Sequence, residues 1–178
     1  MKFSTHKLVY ASILIALSII LTRVLSFRMA IGGVEGIRIG FGGLPIVFAG
    51  IALGPLAGGI VGAVSDVLGY FINPMGAYMP HFTLTSFLTG FIPGLLIFYF
   101  FKSNKRYIYL LTATGIGQVL TAVIMVPFLI EYLFGVPLEV TLVPRIISQA
   151  IQIPIYAYFC QVLLGYDLIE LPEEIRAV

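Results

Sequence analysis

Charge is what this 178-residue sequence has least of: Asp, Glu, Lys and Arg together make up 10% of it. A soluble globular domain carries about 25%, so an ordinary solvated surface is excluded. Ten Lys plus Arg against eight Asp plus Glu leave a net charge of +2, and no cationic run is long enough for a nucleic-acid-binding patch. One cysteine, Cys160, stands inside an apolar run, which excludes an intrachain disulfide framework and a cysteine-clustered metal site. The two histidines, His6 and His81, fall on opposite sides of the membrane in the topology below, so a histidine metal site is not expected. His-Glu-x-x-His, Gly-x-Ser-x-Gly and Gly-Lys-Ser/Thr are all missing. Without them the chain has no zinc-hydrolase helix, nucleophile elbow or phosphate loop. Neither an enzyme nor a bound cofactor is expected.

What remains is apolar: 60% of the residues are hydrophobic. Residues 8–22, 39–65, 67–101, 107–130 and 146–166 contain no charged side chain, giving runs of 15, 27, 35, 24 and 21. A bilayer core takes about 20 apolar residues per helix. Gly54-Pro55 divides the second run, and Asn73-Pro74-Met75-Gly76 with Pro80 divides the third, because proline removes a backbone donor and clashes with the preceding turn. The expected architecture is therefore an all-α integral membrane protein. It is a single domain of six transmembrane helices, at about 8–27, 40–53, 56–72, 84–101, 107–130 and 144–164. The second span is short enough to be tilted or to cross only in part. Lys2 and Lys7 ahead of an apolar run resemble a signal peptide, but no small-x-small cleavage site follows, so a retained first helix is expected. With six spans, Lys2, Lys7, Lys102, Lys105, Arg106 and Arg176 share one side, while Arg28, Arg38 and the helix-end residues Arg23 and Arg145 lie on or near the other. All four lysines on one side put both termini in the cytoplasm.

Polar residues inside so apolar a chain point first to function. Arg145, Gln149, Gln152 and Tyr156 are spaced by four, three and four, which aligns them on one helical stripe. The stripe reads either as the wall of an outward-facing ligand pocket or as a hydrogen-bonded seam between helices. Asp66, Tyr70 and Asn73 repeat the four-then-three spacing. Asp66 suits either ligand contact or pairing with Arg23. Gly58, Gly59, Gly62 and Ala63 are a packing device. The glycine-rich segment from Arg28 through Arg38 and Phe41 to Leu44 reads as an external gate or as a plain loop. In 73–83, prolines hold Tyr78, His81, Phe82 and Thr83 in what reads as a tight turn at the outer face.

Four stretches carry a resemblance: Arg38–Pro45 with Ala49-Gly50; Gly54–Gly62 leading to Asp66–Tyr70; Gly76–Thr85 with Leu88-Thr89-Gly90; and Pro144-Arg145 with Pro154-Ile155. They make the sequence similar to the substrate-binding S components of energy-coupling-factor (ECF) vitamin transporters, in the folate-specific branch. The resemblance implies a pocket near the outer face, closed by the loop after the first helix. It further implies docking on a transmembrane coupling subunit that carries two ATPases, and toppling in the lipid membrane to release the vitamin inside. The family's Ala-x-x-x-Ala docking face corresponds to Ser12 and Ala16 with Ala11 beside them, a departure at the first small residue. For folate, Arg28 and Arg38 suit the glutamate carboxylates. Asp66, Gln149 and Gln152 suit the pterin edge, and Tyr78, Phe82 or Tyr156 its faces. Phe41, Tyr70, His81, Thr83 and Arg145 complete the expected ligand-binding set. Another vitamin or a precursor is the alternative ligand. A self-sufficient secondary transporter, with Asp66 as its one intramembrane acid, is the alternative mechanism.

Overall fold

The computed structural model describes residues 5–24, 26–31, 34–72, 78–101 and 107–166. In chain order these form α1 (Thr5–Val24), strands β1 (Ser26–Ile31) and β2 (Val34–Gly40), α2 (Gly43–Leu53), α3 (Pro55–Ile72) and α4 (Pro80–Leu95). Then come α5 (Tyr107–Gln118), α6 (Val126–Phe134) and α7 (Leu138–Gly165). A π-helical segment, Leu96–Phe101, prolongs α4, and another, Val119–Met125, joins α5 to α6 into one rod spanning Tyr107–Phe134. The described residues thus give six helical rods, five of them long and apolar enough to cross a membrane. Their outer faces present Leu8, Val9, Ile13, Phe71, Ile124, Phe128 and Val143, as expected where lipid rather than water is the surroundings.

The exception is α2. Eleven residues rise only about 16 Å, roughly half a bilayer core, and every residue from Leu44 to Leu53 is buried. It is the hub of the bundle. At Gly54 the backbone takes φ +108°, a conformation that favours glycine, and the chain reverses directly into α3, where Pro55 takes the first position. Four residues either side of that turn the helices touch at backbone level: a Cβ on Gly58 would stand 2.6 Å from the Gly50 nitrogen. The same Cβ would lie 2.8 Å from the Gly90 carbonyl oxygen of α4. Side-chain-free positions on three helices let α2, α3 and α4 pack as one unit.

Helix limits differ from the expected spans where proline and glycine were read as breakers. The last helix begins at Leu138, runs through Pro144 and Pro154, and uses Pro137 as its flank. Proline inside a membrane helix is tolerated where neighbouring groups compensate, and one turn further on Ser148 Oγ adds a hydrogen bond to the Pro144 carbonyl at 2.8 Å. The fourth helix starts at Pro80, since proline's fixed φ suits the first helical turn. His81, Phe82 and Thr83 therefore belong to that helical turn, not to a tight turn outside it. In the fifth rod the wide turns precede Pro127, and the Val126 amide reaches back five residues to the Thr121 carbonyl.

The segment after the first helix is neither an irregular loop nor helix. Residues 26–27 open a strand, and β1 pairs antiparallel with β2 from Ser26↔Gly40 to Ile31↔Val34, with an irregularity between Arg28 and Ala30. Strand β2 packs on α7 and β1 on α1. The bundle thus carries a two-stranded ribbon on an otherwise helical frame.

Candidate functional site

The polar stripe of α7 faces inward. Gln149, Gln152 and Tyr156 are buried, Tyr156 to 1% exposure, and Arg145 at the stripe's start is half-buried. Helix α5 packs against α7, and its rod carries a buried polar row of its own, Thr114 and Gln118 in α5 and Thr121 in the π-helical segment beyond it, spaced by four and three. The two rows meet at the start of α2. A Cβ on Gly43 would stand 3.2 Å from the Tyr156 hydroxyl and 3.6 Å from Gln118 Nε2, so the glycine leaves the space between them open. The Tyr156 hydroxyl donates to the Gly40 carbonyl at the end of β2, and lies 3.1 Å from Gln152 Oε1.

Two polar atoms of these rows, Thr114 Oγ1 and Gln149 Oε1, are buried without a hydrogen-bond partner. A buried unsatisfied acceptor costs about 1–3 kcal/mol. Proteins keep that cost where a ligand or water removes it, so these two rows have the chemistry of a recognition site for groups that donate N–H or O–H.

A second polar cluster ties α3 to α4 at the hairpin's end of the bundle. Thr83 Oγ1 donates to Asp66 Oδ2 at 2.7 Å, and the Tyr78 hydroxyl is 2.8 Å from the same Thr83 oxygen. The threonine has one proton and gives it to the carboxylate, so the phenol is the donor to Thr83. The chain of bonds runs Tyr78 to Thr83 to Asp66 and aims two hydroxyl dipoles at one carboxylate. Tyr70 braces it, with its ring 5.3 Å from that of Tyr78. Along α4, Thr85 Oγ1 donates to the Phe82 carbonyl, and Thr89 Oγ1 lies 3.2 Å from Thr121 Oγ1, which links this helix to the α5 rod.

The expected residues therefore separate into groups. Gln149, Gln152 and Tyr156 converge with one another, and Asp66, Tyr70, Tyr78 and Thr83 form the second cluster. Phe41 and Phe82 are half-buried, Phe41 against the apolar core. His81 is exposed in the first turn of α4, apart from the cluster's hydrogen bonds. Arg28 and Arg38 are partners in the backbone ladder of the hairpin, while their side chains, like that of Arg23, lie outside the described residues. Asn73 lies outside them altogether. On α1, Ser12 and Ala16 are exposed and Ala11 is half-buried. The described residues hold no group of three His, Cys, Asp or Glu that could bind a metal.

Sequence reasoning passed over Gln118, Thr114, Thr89, Thr121 and Ser18. The first, second and fourth carry the helical spacing that marked α7, so the same search applied to 107–130 finds them. The hairpin, too, has a sequence signal: Gly32-Gly33 between two short alternating runs.

Comparison with known proteins follows this geometry. The family described as "ECF-type riboflavin transporter, S component" matches residues 2–166. The "Folate transporter FolT" of Clostridium novyi (strain NT) is 41% identical over 150 residues, covering 84% of this chain and 83% of that protein. The crystal structure of FolT bound with folic acid superposes with a TM-score of 0.75 at 30% identity, covering 94% of this chain and 96% of that one. A structure of the S component of a bacterial ECF transporter gives a TM-score of 0.68 at 21% identity, covering 92% and 98%, a likeness of fold. A matching family model over nearly the whole helical region, a relative of this identity and a shared fold agree: the chain belongs to the S components of ECF-type transporters.

Proposed function

We propose that the chain is the folate-binding S subunit of an ECF-type importer of the cell membrane, with both termini on the cytoplasmic side. The observation that carries this reading is the buried polar wall of Gln118, Gln149, Gln152 and Tyr156 in an otherwise apolar bundle, with an amide oxygen left open to a donor. A pterin is flat and offers amide-like N–H and C=O edges, which the amides and hydroxyl of such a wall can donate to and accept from. Asp66, held by Thr83 and Tyr78, supplies a second acceptor for pterin N–H groups. Tyr70 and Tyr78 offer ring faces, and Arg28 and Arg38 on the hairpin suit the two glutamate carboxylates. The FolT relative and the FolT structure with folic acid support the choice of vitamin.

The chain has no phosphate-loop motif, so ATP energy comes from partners: a transmembrane coupling subunit with two ATPase subunits. The small exposed residues Ser12 and Ala16, with Ala11 beside them, let a partner helix approach α1 closely. The subunit captures folate outside, docks through this face and topples to release it inside, without chemical change to the ligand.

The family's description favours riboflavin as the second reading, a flat ring system without carboxylates. Titration of the purified protein with each vitamin, followed by heat or tyrosine fluorescence, separates them. Nanomolar folate binding and far weaker riboflavin binding are expected; no folate binding in the micromolar range overturns the assignment.

A further inference from the structure

Helix α4 grips the rod of α5 and α6 at two levels, one turn apart. At one, the Pro93 ring lies against Gly117, where a Cβ would come within 2.7 Å of Pro93 Cγ. At the other, Thr89 Oγ1 donates to Thr121 Oγ1 at 3.2 Å. Thr121 is buried at 1% exposure and is bonded in three ways. Its hydroxyl donates to the Gly117 carbonyl at 2.8 Å. The same oxygen accepts from Thr89, whose one proton is shared with the Thr85 carbonyl at 2.8 Å. Its own carbonyl takes the Val126 amide across the wide turn. Gln118 stands next to Gly117, about 100° round the helix from it. That face is turned toward the start of α2, since a Cβ on Gly43 would stand 3.6 Å from Gln118 Nε2. The π-helical segment begins at the following residue, Val119, where the regular α-helical ladder that fixes a rod's rotation gives way to wider turns.

We propose that Thr89 and Thr121 are positioning residues for the ligand site: their hydroxyl bond sets the rotation of the rod, and with it the direction in which the Gln118 amide meets the ligand. The two levels of the grip do different things. Pro93 against Gly117 fixes how closely the helices approach, but contact between apolar surfaces is not directional. A hydroxyl bond is directional, so it selects one rotation among those the packing allows. Thr121 then passes that setting to the Gln118 turn through its bond to the Gly117 carbonyl, the residue before Gln118. That Gln118 meets the ligand rests on the folate-binding reading; that the threonines orient Gln118 does not.

The sequence has four glutamines, Gln118, Gln149, Gln152 and Gln161. Side-chain amide NMR of the whole protein in lipid nanodiscs, with isotope-labelled glutamine, therefore reads each of them, and Gln118→Ala identifies the Gln118 signal by its loss. Valine keeps the branched shape of threonine without the hydroxyl. With no ligand present, Thr89→Val and Thr121→Val should each shift or broaden the Gln118 signal and leave that of Gln161 in place. Thr121→Ser retains the hydroxyl and should restore the parent signal. Both valine variants should also weaken folate binding about threefold to tenfold, the contribution of one interhelical hydroxyl bond in a membrane. In a Gln118→Ala background the same substitutions should weaken it no further. A Gln118 signal unchanged in both valine variants overturns the proposal, as do equal changes in all four signals, the mark of a loosened bundle. An undiminished loss of affinity in the Gln118→Ala background overturns it too. A parent protein that binds no folate sinks the functional reading instead, and the spectra still decide the positioning.

Discussion

Gln149 offers a test in which stability and binding should move in opposite directions. Its side-chain oxygen is buried with no hydrogen-bond partner, and the residue is 9% exposed. Leucine has nearly the same volume and no polar atoms, so Gln149→Leu removes an unsatisfied acceptor without opening a cavity. The relief is about 1–2 kcal/mol. At roughly 2–4 °C per kcal/mol for a protein of this size, the ligand-free variant should melt a few degrees higher than the parent. On the proposed folate-binding reading, the same oxygen accepts an N–H from the pterin edge in the complex. Its loss strands that donor in an apolar pocket at about 1.4–2.7 kcal/mol, or tenfold to a hundredfold in affinity. Thermal unfolding of the ligand-free protein and folate titration, on the same preparations, measure both. A lower melting temperature with unchanged affinity would refute the reasoning and make Gln149 a packing residue.

Three further outcomes are expected. Arg38→Ala should weaken folate more than it weakens an analogue lacking the glutamate, by titration of both; equal loss means that Arg38 does not meet the carboxylates. Gly58→Ala forces a Cβ to within 2.8 Å of the Gly90 carbonyl oxygen, so α3 must move off α4, with a loss of about 3 kcal/mol or more seen as a lower melting temperature. Ala16→Trp on the exposed face of α1 should leave folate affinity near the parent value and abolish co-purification with the coupling subunit; retained assembly moves the docking face elsewhere.

The rods were readable because a membrane helix announces itself by the length of an uncharged run, and Gly54-Pro55 marks the α2–α3 turn in the residues themselves. The start of α7 was not, because Pro144 reads as a stop in the sequence, whereas the helix runs through it from Leu138. Half of the α5–α7 site was legible, since Gln149, Gln152 and Tyr156 are conspicuous polar residues at helical spacing. Thr114 and Thr121 were not conspicuous, because threonine in a membrane helix usually satisfies itself on the preceding turn. Thr121 does so, donating to the Gly117 carbonyl at 2.8 Å, whereas Thr114 does not. No sequence pattern distinguishes the two. Ser18 was invisible for another reason: its partner is a carbonyl 24 residues away, and carbonyls leave no trace in sequence.

The backbone-level packing of α2, α3 and α4 has an evolutionary consequence. In that half of the molecule, glycines meet neighbouring backbone with no room for a methyl group, so a side chain added there pushes the helices apart. In the α5–α7 half, the side chains proposed to meet the ligand are polar groups at helical spacing. A lineage can therefore exchange amides, hydroxyls and rings on α5 and α7 and change vitamins while the other half keeps the scaffold intact. One architecture can then serve ligands as different as the flavin and the pterin named for its relatives. Grafting the α5 and α7 polar rows from one such protein onto another is the shortest engineering route to a new specificity.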